Sequence, residues 1–281
     1  MNYRHAYHAG NFADVFKHIV LTRIVEYLKR KDAAFRVIDT HAGAGLYDLS
    51  SEEAQKTGEW KEGIGKLLGQ PLDRPVADLL QPYVATLTLE HATELAEYPG
   101  SPLIARRLLR KQDRLFAIEL HPEDAAALKA LFAGDVQVRV MELDGWLSVG
   151  AHLPPKEKRG LVLIDPPFEE PGEFDRMVDA LTRAHRRWPG GVFAFWYPIK
   201  DRPAVAAFRN ALTATGIAKI LDLALEIRAP SAEPTLEGSG MVVVNAPFTL
   251  EAEMRRILPA LTRLLGDGKA ARFEITRLTP G

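Results

Sequence analysis

The tetrapeptide Asp165-Pro166-Pro167-Phe168 has the residue types needed to grip an amino group on an aromatic base. It follows the apolar run Leu161–Ile164, so it stands where a buried strand would end. An exocyclic amine has a delocalised lone pair, and its attack on an electrophile requires acceptors that reorient its two N–H groups. The Asp165 carboxylate and the Pro166 carbonyl are such acceptors, and Phe168 offers a ring on which an extruded base can stack. The pattern is typical of methyltransferases acting on exocyclic amines of nucleic acids or on glutamine, and a proline-punctuated loop is the alternative.

A glycine turn follows the first strand-like segment and predicts a ligand site at the edge of a sheet. In the stretch Asp39–Gly45, the residues Gly43 and Gly45 permit a tight turn and a close approach of the backbone to a ligand. A dinucleotide site would have a third glycine where this chain has Asp48, so no pyrophosphate cradle is visible. S-adenosyl-L-methionine has no phosphate and tolerates that loss.

Two acidic residues at the ends of the next two strand-like segments sharpen this expectation. Glu119 ends the second segment, where a carboxylate can accept from both hydroxyls of a ribose. Asp144-Gly145 follows the third segment, which suits an adenine amine. Each acid alone is more readily explained as a helix cap or a solvated loop residue. Their positions after the glycine turn and before Asp165 favour recognition of a nucleoside.

Composition describes an ordinary globular chain and excludes several site chemistries. The 281 residues are 47% hydrophobic and 26% charged, and 36 Lys and Arg against 37 Asp and Glu give a net charge of -1. A polyanionic partner would therefore be held by local basic patches. The absence of cysteine excludes disulfides, thiolate zinc sites, iron–sulfur clusters and the cysteine adduct used in C5 methylation of cytosine. No apolar stretch suits a signal core or a bilayer span, so we expect a cytoplasmic protein without membrane association.

Strand-like apolar runs alternate with amphipathic helical stretches, which predicts a doubly wound, mostly parallel α/β sheet. The first four runs are almost continuously apolar, as parallel strands covered on both faces are. The last two runs follow each other without a helix, so we expect an antiparallel strand near the sheet edge. The predicted strands are Phe35–Asp39, Leu115–Glu119, Val136–Met141, Leu161–Asp165, Val192–Trp196, Ile220–Ile227 and Gly240–Asn245. The predicted helices are Phe12–Lys29, Pro122–Phe132, Phe174–Arg187, Pro203–Thr215 and Leu250–Leu265.

The connection between the first two of these strands is unusually long. It runs from about Leu46 to Arg114, whereas such a crossover usually takes about a dozen residues. Its partly apolar, helical stretches at Gly63–Leu68, Val76–Leu89 and Pro102–Arg110 predict an inserted helical subdomain. We therefore expect a main domain of residues 1–45 and 115–281 and an insertion of residues 46–114 that packs against it.

The segment Tyr3–Asn11, followed by Ala13–Val15 and Lys17-His18, resembles the start of the RlmJ family of 23S ribosomal RNA adenine-N6 methyltransferases. Further motifs recur in the family's order across nearly the whole chain: Asp39–Gly45, Tyr98–Pro102, Glu119–Pro122, Asp144-Gly145, Asp165–Pro167 and Trp196–Pro198. The combination is far more specific than any single motif. The resemblance implies a Rossmann-like class I methyltransferase fold, S-adenosyl-L-methionine as cofactor with S-adenosyl-L-homocysteine as product, and 23S ribosomal RNA as partner.

The resemblance also implies roles for particular side chains. It places Tyr3 close to the target nucleotide and makes Asp165 both catalytic and part of the cofactor site. The other residues that it places around the cofactor are His18, His41, Ser101, Glu119, Asp144 and Gly145. Family members often have tyrosine where this chain has Phe168, so a hydroxyl is missing here while the stacking face is kept. The inserted segment resembles the family less than the motifs do, so conclusions about RNA selection transfer poorly.

Basic residues near these motifs are candidate phosphate contacts, with solvated helix faces as the alternative. They are Arg4 and Lys17, the group Arg106, Arg107, Arg110, Lys111 and Arg114, and the loop Lys156–Arg159. The histidines at positions 5, 8, 18 and 41 match no common zinc spacing. Methyl transfer from a sulfonium needs no Lewis acid, so we expect no metal.

The expected reaction is direct, in-line methyl transfer to the N6 amine of an extruded adenine, with Asp165 orienting the amine and stabilising developing positive charge. Two other functions stay open at this point. One is methylation of adenine N6 in DNA, which uses the same grip. The other is a non-catalytic nucleic-acid-binding role in DNA uptake or utilisation. A single target base gives no need for symmetry, so we expect a monomer.

Overall fold

The computed structural model describes residues 4–87, 95–231 and 235–281, and within them most strands join one eight-stranded sheet. The strands in chain order are β1 (Arg36–Asp39), β2 (Leu46–Asp48), β3 (Glu97–Pro99), β4 (Arg114–Glu119), β5 (Val138–Glu142), β6 (Gly160–Ile164), β7 (Val192–Ile199), β8 (Ile220–Glu226), β9 (Gly238–Val244) and β10 (Arg272–Arg277). The order across the large sheet is β10-β8-β9-β7-β6-β1-β4-β5, while β2 and β3 pair separately as a short antiparallel ladder.

The large sheet has a parallel half and an antiparallel half. Strands β5, β4, β1, β6 and β7 run parallel to one another, with β1 at the centre between β4 and β6. Strand β9 lies antiparallel between β7 and β8, and β10 lies antiparallel at the edge beside β8. The chain thus moves to opposite sides of β1 through β4 and β6, and in such sheets a crevice opens at the carboxyl ends of the strands at this switch point.

Helices cover both faces of the sheet. They are α1 (Phe12–Lys29), α2 (Glu52–Thr57), α3 (Lys66–Gly69), α4 (Arg74–Leu87), α5 (Ser101–Leu108), α6 (Pro122–Leu131), α7 (Gly145–Ala151), α8 (Glu173–Arg187), α9 (Arg202–Ala214) and α10 (Leu250–Leu265). Strand side chains alternate between the two resulting cores: Leu161 and Leu163 of β6 face the core that contains α1 and α10, and Val162 and Ile164 face the core of α8 and α9. No helix within the described residues is both long and apolar enough to cross a membrane.

Helix α1 is buried along almost its whole circumference. The side chain of Asn11 caps its start by accepting from the N–H groups of Ala13 at 2.9 Å and Asp14 at 3.0 Å. One side of α1 packs on the sheet, and α4, α5 and a π-helical turn at Lys61–Gly65 cover the other. Polar residues in the first turns of α1 are therefore enclosed and must find partners inside the protein.

The segment between β1 and β4 contributes to the same core as the rest of the chain. Apolar residues of this segment, among them Ile64, Leu80 and Tyr83, belong to one cluster with α1 and α10. The helical content predicted for this segment is confirmed by α2 to α5. The predicted stretch Val76–Leu89 corresponds to α4, and its residues after Leu87 lie outside the described ones. The division of the chain at residues 45 and 114 stays a prediction.

The predicted fold class is confirmed, and each predicted strand and helix lies within a few residues of an observed one. The antiparallel strand predicted near the sheet edge is β9, which is third from that edge, and β10 forms the edge itself, antiparallel to β8. Strand β10 was not predicted because half of its six residues, Arg272–Arg277, are charged and it is mostly exposed at the sheet edge.

Candidate active site

A cavity of about 1220 Å³ opens at the carboxyl ends of the parallel strands. Asp39 ends β1, Glu119 ends β4, Asp144 follows β5 and Asp165 follows β6, so the strand directions alone bring these four acids to one edge. The predicted residues that line the cavity are Lys17, His18, His41, Gly43, Ser101, Glu119, Asp144, Gly145, Asp165, Pro166 and Phe168. The structure therefore brings together sequence motifs that are far apart along the chain.

The glycine turn and Glu119 hold each other in place. The Glu119 carboxylate accepts from the backbone N–H groups of Gly43 at 2.7 Å and His121 at 2.8 Å, one on each oxygen. Each oxygen keeps a second lone pair that can accept from a ligand. Gly43 has φ +61°, and a β-carbon there would lie 2.2 Å from the hydroxyl oxygen of Tyr47. Only glycine can adopt this backbone conformation so close to the Tyr47 hydroxyl.

Asp144 and Gly145 form the start of α7 and the next part of the wall. The Asp144 side chain accepts from the Trp146 N–H at 2.8 Å and so caps the helix. A β-carbon on Gly145 would lie 2.2 Å from the carbonyl oxygen of Thr40 and 3.0 Å from the ring of His41. Two backbone segments therefore meet at Gly145 with no room for a side chain, which brings the helix start close to the glycine turn.

His41 lines the cavity as a neutral ring with a defined tautomer. The Thr40 hydroxyl donates to the Leu163 carbonyl at 3.0 Å, so its oxygen accepts from the His41 Nδ1–H at 2.8 Å. Desolvation in the cavity wall lowers the pKa of His41 to about 3. A neutral ring with its proton on Nδ1 has a bare Nε2, so His41 can accept a hydrogen bond.

Ser101 joins the cavity to the end of β1. Its hydroxyl donates to Asp39 Oδ2 at 2.6 Å, and both residues are buried. Burial raises the pKa of Asp39 to about 7, although the Ser101 hydrogen bond favours the ionised form. This carboxyl therefore titrates near neutral pH.

A chain of charges lies on the other side of the cavity. The Lys17 ammonium forms ion pairs with Asp165 and, at 2.8 Å, with Asp14, while the second oxygen of Asp14 accepts from His5 at 2.9 Å and from the Gly10 N–H at 2.9 Å. Burial alone would raise the pKa of Asp14, but the nearby His5 and Lys17 hold it well below its usual value. Burial alone would lower the pKa of Lys17, but Asp14 and Asp165 raise it above its usual value.

The expectation that Lys17 contacts RNA phosphate is corrected by this arrangement. Its side chain is 5% exposed, and its ammonium is already held by two carboxylates. A phosphate would have to displace these partners inside the protein. Lys17 is instead the residue that joins the Asp165 loop to α1.

Phe168 has a backbone conformation that is rare for a phenylalanine, with φ +53°. Its ring makes edge contacts with Phe174, at 5.1 Å between centroids, and with Trp196, at 5.8 Å. Such strain persists only where the surroundings hold it, and it is concentrated at functional sites. Phe168 and Trp196 both line the cavity, so the Asp165 loop presents an aromatic wall beside its carboxylate.

Other predicted contacts lie elsewhere. Tyr3 is outside the described residues. Arg4 is exposed, forms ion pairs with Glu123 at 2.8 Å and Glu53 at 3.8 Å, and does not line the cavity. No three side chains of His, Cys, Asp and Glu in the described part of the chain gather as the ligands of a metal ion would.

The basic group around Arg110 faces away from the cavity. Arg110 pairs with Asp113 at 2.9 Å and donates to backbone carbonyls before β1, and Arg114 starts β4 at the opposite edge of the sheet. Arg106 pairs with Asp135, and Arg159 donates to the Ala33 carbonyl at 2.9 Å. These guanidinium groups stabilise turns at the amino ends of the strands, so the structure disfavours the predicted RNA contact there.

Some residues of the site were not singled out from the sequence. Asp14 lies one helical turn before Lys17, and its i,i+3 spacing could have indicated an ion pair. Lys200 and Arg228 follow β7 and β8, are exposed, line the cavity, and form no ion pair with another residue of the described ranges. They lie on the half of the cleft that also holds Phe168 and Trp196. Only the strand order shows that these two cations share a rim.

Comparisons with known proteins cover most or all of the chain. A family model described as Ribosomal RNA large subunit methyltransferase D, RlmJ, matches residues 32–275. The chain is 46% identical to the Ribosomal RNA large subunit methyltransferase J of Haemophilus influenzae and 44% identical to that of Escherichia coli K12, in both cases over 100% of this chain and 99% of the relative. The crystal structure of protein LPL1258 from Legionella pneumophila has a TM-score of 0.87 and 34% identity, over 96% of this chain and 98% of that chain.

Proposed function

This chain belongs to the RlmJ family of large-subunit ribosomal RNA methyltransferases, and from that premise we propose that it uses S-adenosyl-L-methionine to methylate the N6 amine of one adenine in 23S ribosomal RNA. The observation that carries the proposal is the position of Asp165. Its carboxylate lines the same cavity as the glycine turn, Glu119 and Asp144. A methyl donor held by these elements and an amine held by Asp165 would share one space.

The residues on the β1, β4 and β5 side of the cavity fit a nucleoside without phosphate. Glu119 has lone pairs left for ribose hydroxyls, and Asp144 offers a carboxylate at a helix start that glycine brings close to the turn. The glycine turn carries Asp48 where a dinucleotide site has its third glycine, so it forms no cradle for a pyrophosphate. S-adenosyl-L-methionine supplies a methyl group on a sulfonium when bound, and the acidic lining suits its positive charge.

Asp165 and the Pro166 carbonyl are the acceptors for the two N–H groups of the target amine. One oxygen of Asp165 is already engaged by Lys17, which fixes the carboxylate and leaves the other oxygen for the amine. The accepting groups draw the two N–H bonds out of the ring plane, which takes the nitrogen lone pair out of conjugation with the ring, and they stabilise positive charge as the new C–N bond forms. Asp165 therefore acts by orientation and electrostatics, and it need not remove a proton before the transfer.

The aromatic wall completes the site for a base taken out of its helix. Phe168 is fixed by its contacts with Phe174 and Trp196, and a ring held in this way can stack on a flat base. Because it lacks the hydroxyl that family members often carry at this position, we assign it stacking alone.

The test is to map N6-methyladenine along 23S ribosomal RNA from cells with and without this protein. We expect one adenine to lose its methyl group in the deletion strain and to regain it when the wild-type gene, but not an Asp165→Ala gene, is returned. Purified protein with labelled S-adenosyl-L-methionine should label 23S ribosomal RNA from the deletion strain and leave adenine-containing duplex DNA unlabelled. An unchanged methylation map, or label in DNA alone, would overturn the proposal.

A further inference from the structure

A buried row of hydrogen bonds connects the cavity wall to the segment between β1 and β4. His18 Nδ1 lies 2.8 Å from the hydroxyl oxygen of Tyr98, which lies 2.8 Å from the hydroxyl oxygen of Tyr83. His18 belongs to α1, Tyr98 to β3 and Tyr83 to α4, and the two tyrosines are fully buried while His18 is 1% exposed. The mechanism proposed above makes no use of either tyrosine.

The direction of these hydrogen bonds follows from counting protons. The Tyr83 hydroxyl has one proton, and within the described residues its only side-chain partner is Tyr98. A buried hydroxyl proton without an acceptor is unfavourable, so Tyr83 donates to Tyr98. Tyr98 must then direct its own proton to His18 Nδ1, which therefore carries a lone pair.

The opposite edge of the His18 ring supports the same assignment. Its Nε2 lies 4.0 Å from Asp14 Oδ1, too far for a hydrogen bond but close enough for the carboxylate charge to favour an N–H over a lone pair. Burial lowers the pKa of His18 to about 3, so the ring is neutral and carries a single proton. That proton is on Nε2.

We propose that Tyr98, oriented by Tyr83, is a positioning residue that holds His18 in the Nε2–H tautomer, so that the ring presents a hydrogen-bond donor to an acceptor atom of the bound methyl donor. His18 borders the cavity and His41 lines it as well. The two rings then carry opposite tautomers: Thr40 leaves His41 with a bare Nε2, and Tyr98 leaves His18 with a protonated one. The identity of the ligand rests on the proposed function, whereas the tautomer does not.

The tautomer is tested by nitrogen-15 NMR of the histidine rings in the full-length protein, with His18 signals assigned by their loss in His18→Gln. We expect wild-type His18 to show a protonated Nε2 and an unprotonated, hydrogen-bonded Nδ1. In Tyr98→Phe the Nδ1 signal should lose its hydrogen-bond shift and the tautomers should mix, while His41 stays unchanged as an internal reference. Tyr83→Phe should keep the wild-type tautomer, because Tyr98 can still donate. A protonated Nδ1 in the wild type, or unaltered His18 signals in Tyr98→Phe, would overturn the proposal.

The consequence for the ligand is tested by calorimetry with S-adenosyl-L-homocysteine. Tyr98→Phe should weaken binding about 3- to 10-fold, as expected for one hydrogen bond, and Tyr83→Phe should weaken it less. Should Tyr98→Phe fail to fold, the double variant Tyr83→Phe/Tyr98→Phe removes both hydroxyls and leaves no unpaired tyrosine. Equal affinity for S-adenosyl-L-homocysteine in the wild type and the Tyr98 variants would overturn the role of the His18 Nε2–H as a hydrogen-bond donor to the ligand. Absence of binding by the wild type would count against the proposed function, and the NMR result would still decide the tautomer.

Discussion

Lys17 and Asp165, which are 148 positions apart in the sequence, form an ion pair in the wall of the cavity. Lys17 also pairs with Asp14 of its own helix, so one ammonium is shared by two carboxylates. The pair fixes the loop after β6 relative to α1. It also places a positive charge beside the carboxylate that we propose grips the target amine.

Replacing Lys17 by methionine should destabilise the protein by roughly 3–5 kcal/mol, because it leaves Asp165 without its cation and leaves the buried Asp14 with His5 as its remaining charged partner. Urea unfolding at neutral pH measures the change. Lys29→Met is the matched control, since Lys29 pairs with Glu26 in a half-exposed position and should cost about 0–1 kcal/mol. Equal effects of the two substitutions would show that the enclosed pair has no special part in stability.

Asp165→Ala should reduce methyl transfer by at least about 10²-fold, because it removes a prearranged acceptor from the target amine. Asp14 remains a partner of Lys17 at 2.8 Å, so the unfolding transition should stay close to that of the wild type. Initial rates with labelled S-adenosyl-L-methionine and 23S ribosomal RNA measure the loss. Asp175→Ala, which removes an exposed carboxylate at the start of α8 outside the cavity lining, should leave the rate near the wild-type value. Turnover by Asp165→Ala at that same level would refute the assigned role.

The raised pKa of Asp39 predicts how the stability of the protein depends on pH. Its pKa is raised from 3.8 to about 7 in the folded protein, so between these values the folded state binds a proton that the unfolded state does not. The free energy of unfolding contributed by Asp39 therefore falls as the pH rises through this window and levels off above it. Asp39→Asn keeps an acceptor for the Ser101 hydroxyl and removes the ionisation.

The difference in unfolding free energy between Asp39→Asn and the wild type isolates this group. We expect the variant to gain stability relative to the wild type between about pH 5 and about pH 8, as measured by urea unfolding across that range. Ser101→Ala removes the donor that favours the ionised carboxyl, so it should raise the pKa of Asp39 further and extend the pH dependence to higher pH. A difference that does not change with pH would mean that Asp39 titrates normally.

Gly145 and Gly150 lie in the same helix but in opposite surroundings, which gives a matched pair of substitutions. A β-carbon at Gly145 would lie 2.2 Å from the Thr40 carbonyl oxygen, whereas one at Gly150 meets nothing within 4 Å. Gly145→Ala should therefore displace the start of α7, lower the melting temperature and weaken cofactor binding. Gly150→Ala should stabilise the helix by up to about 1 kcal/mol. Thermal unfolding and calorimetry with S-adenosyl-L-homocysteine distinguish the two, and similar results for both would contradict the predicted clash.

The sequence predicts this fold well because its signals are local. Short apolar runs separated by amphipathic stretches specify the parallel strands, and their order alone brings Glu119, Asp144 and Asp165 to one edge. Strand β10 was not predicted because only Phe273 and Ile275 of its six residues are apolar, which is a weak apolar pattern. The three-residue strands β2 and β3 are too short to show alternation at all.

The partners of the site residues could not be read from the sequence in the same way. Lys17 was expected to reach phosphate, because a lysine near an amino terminus is usually exposed. It is buried beside Asp165 and Trp196, which the fold brings to α1 from far along the chain. The hydrogen bond from Tyr98 to His18 likewise joins two motifs whose sequences give no sign of contact. The positions of the motifs along the chain followed from local patterns. Which side chains of different motifs contact each other depended on long-range packing.

Lys200 and Arg228, at the rim of the cavity, indicate where we expect the RNA backbone to bind. Both cations are exposed on the side of the aromatic wall, so a base stacked near Phe168 would bring its flanking phosphates toward them. Acidic residues also line this cavity, among them Glu169, Glu170 and Asp267, so the two cations matter for holding a polyanion there. The double variant Lys200→Glu/Arg228→Glu should bind 23S ribosomal RNA fragments more weakly.

The dependence of that affinity on salt separates a specific contact from a general change of charge. Each lost phosphate contact lowers the slope of log affinity against log salt by about 0.7 to 0.9, so the double variant should lose roughly 1–2 units. Lys111→Glu/Lys158→Glu makes the same change of net charge at the amino ends of β4 and β6, opposite the cavity. Fluorescence anisotropy over a salt series should show a reduced slope for the rim variant and a slope near that of the wild type for the control. If both variants change the slope equally, only net charge matters. If only the control changes it, the RNA lies across the opposite edge of the sheet.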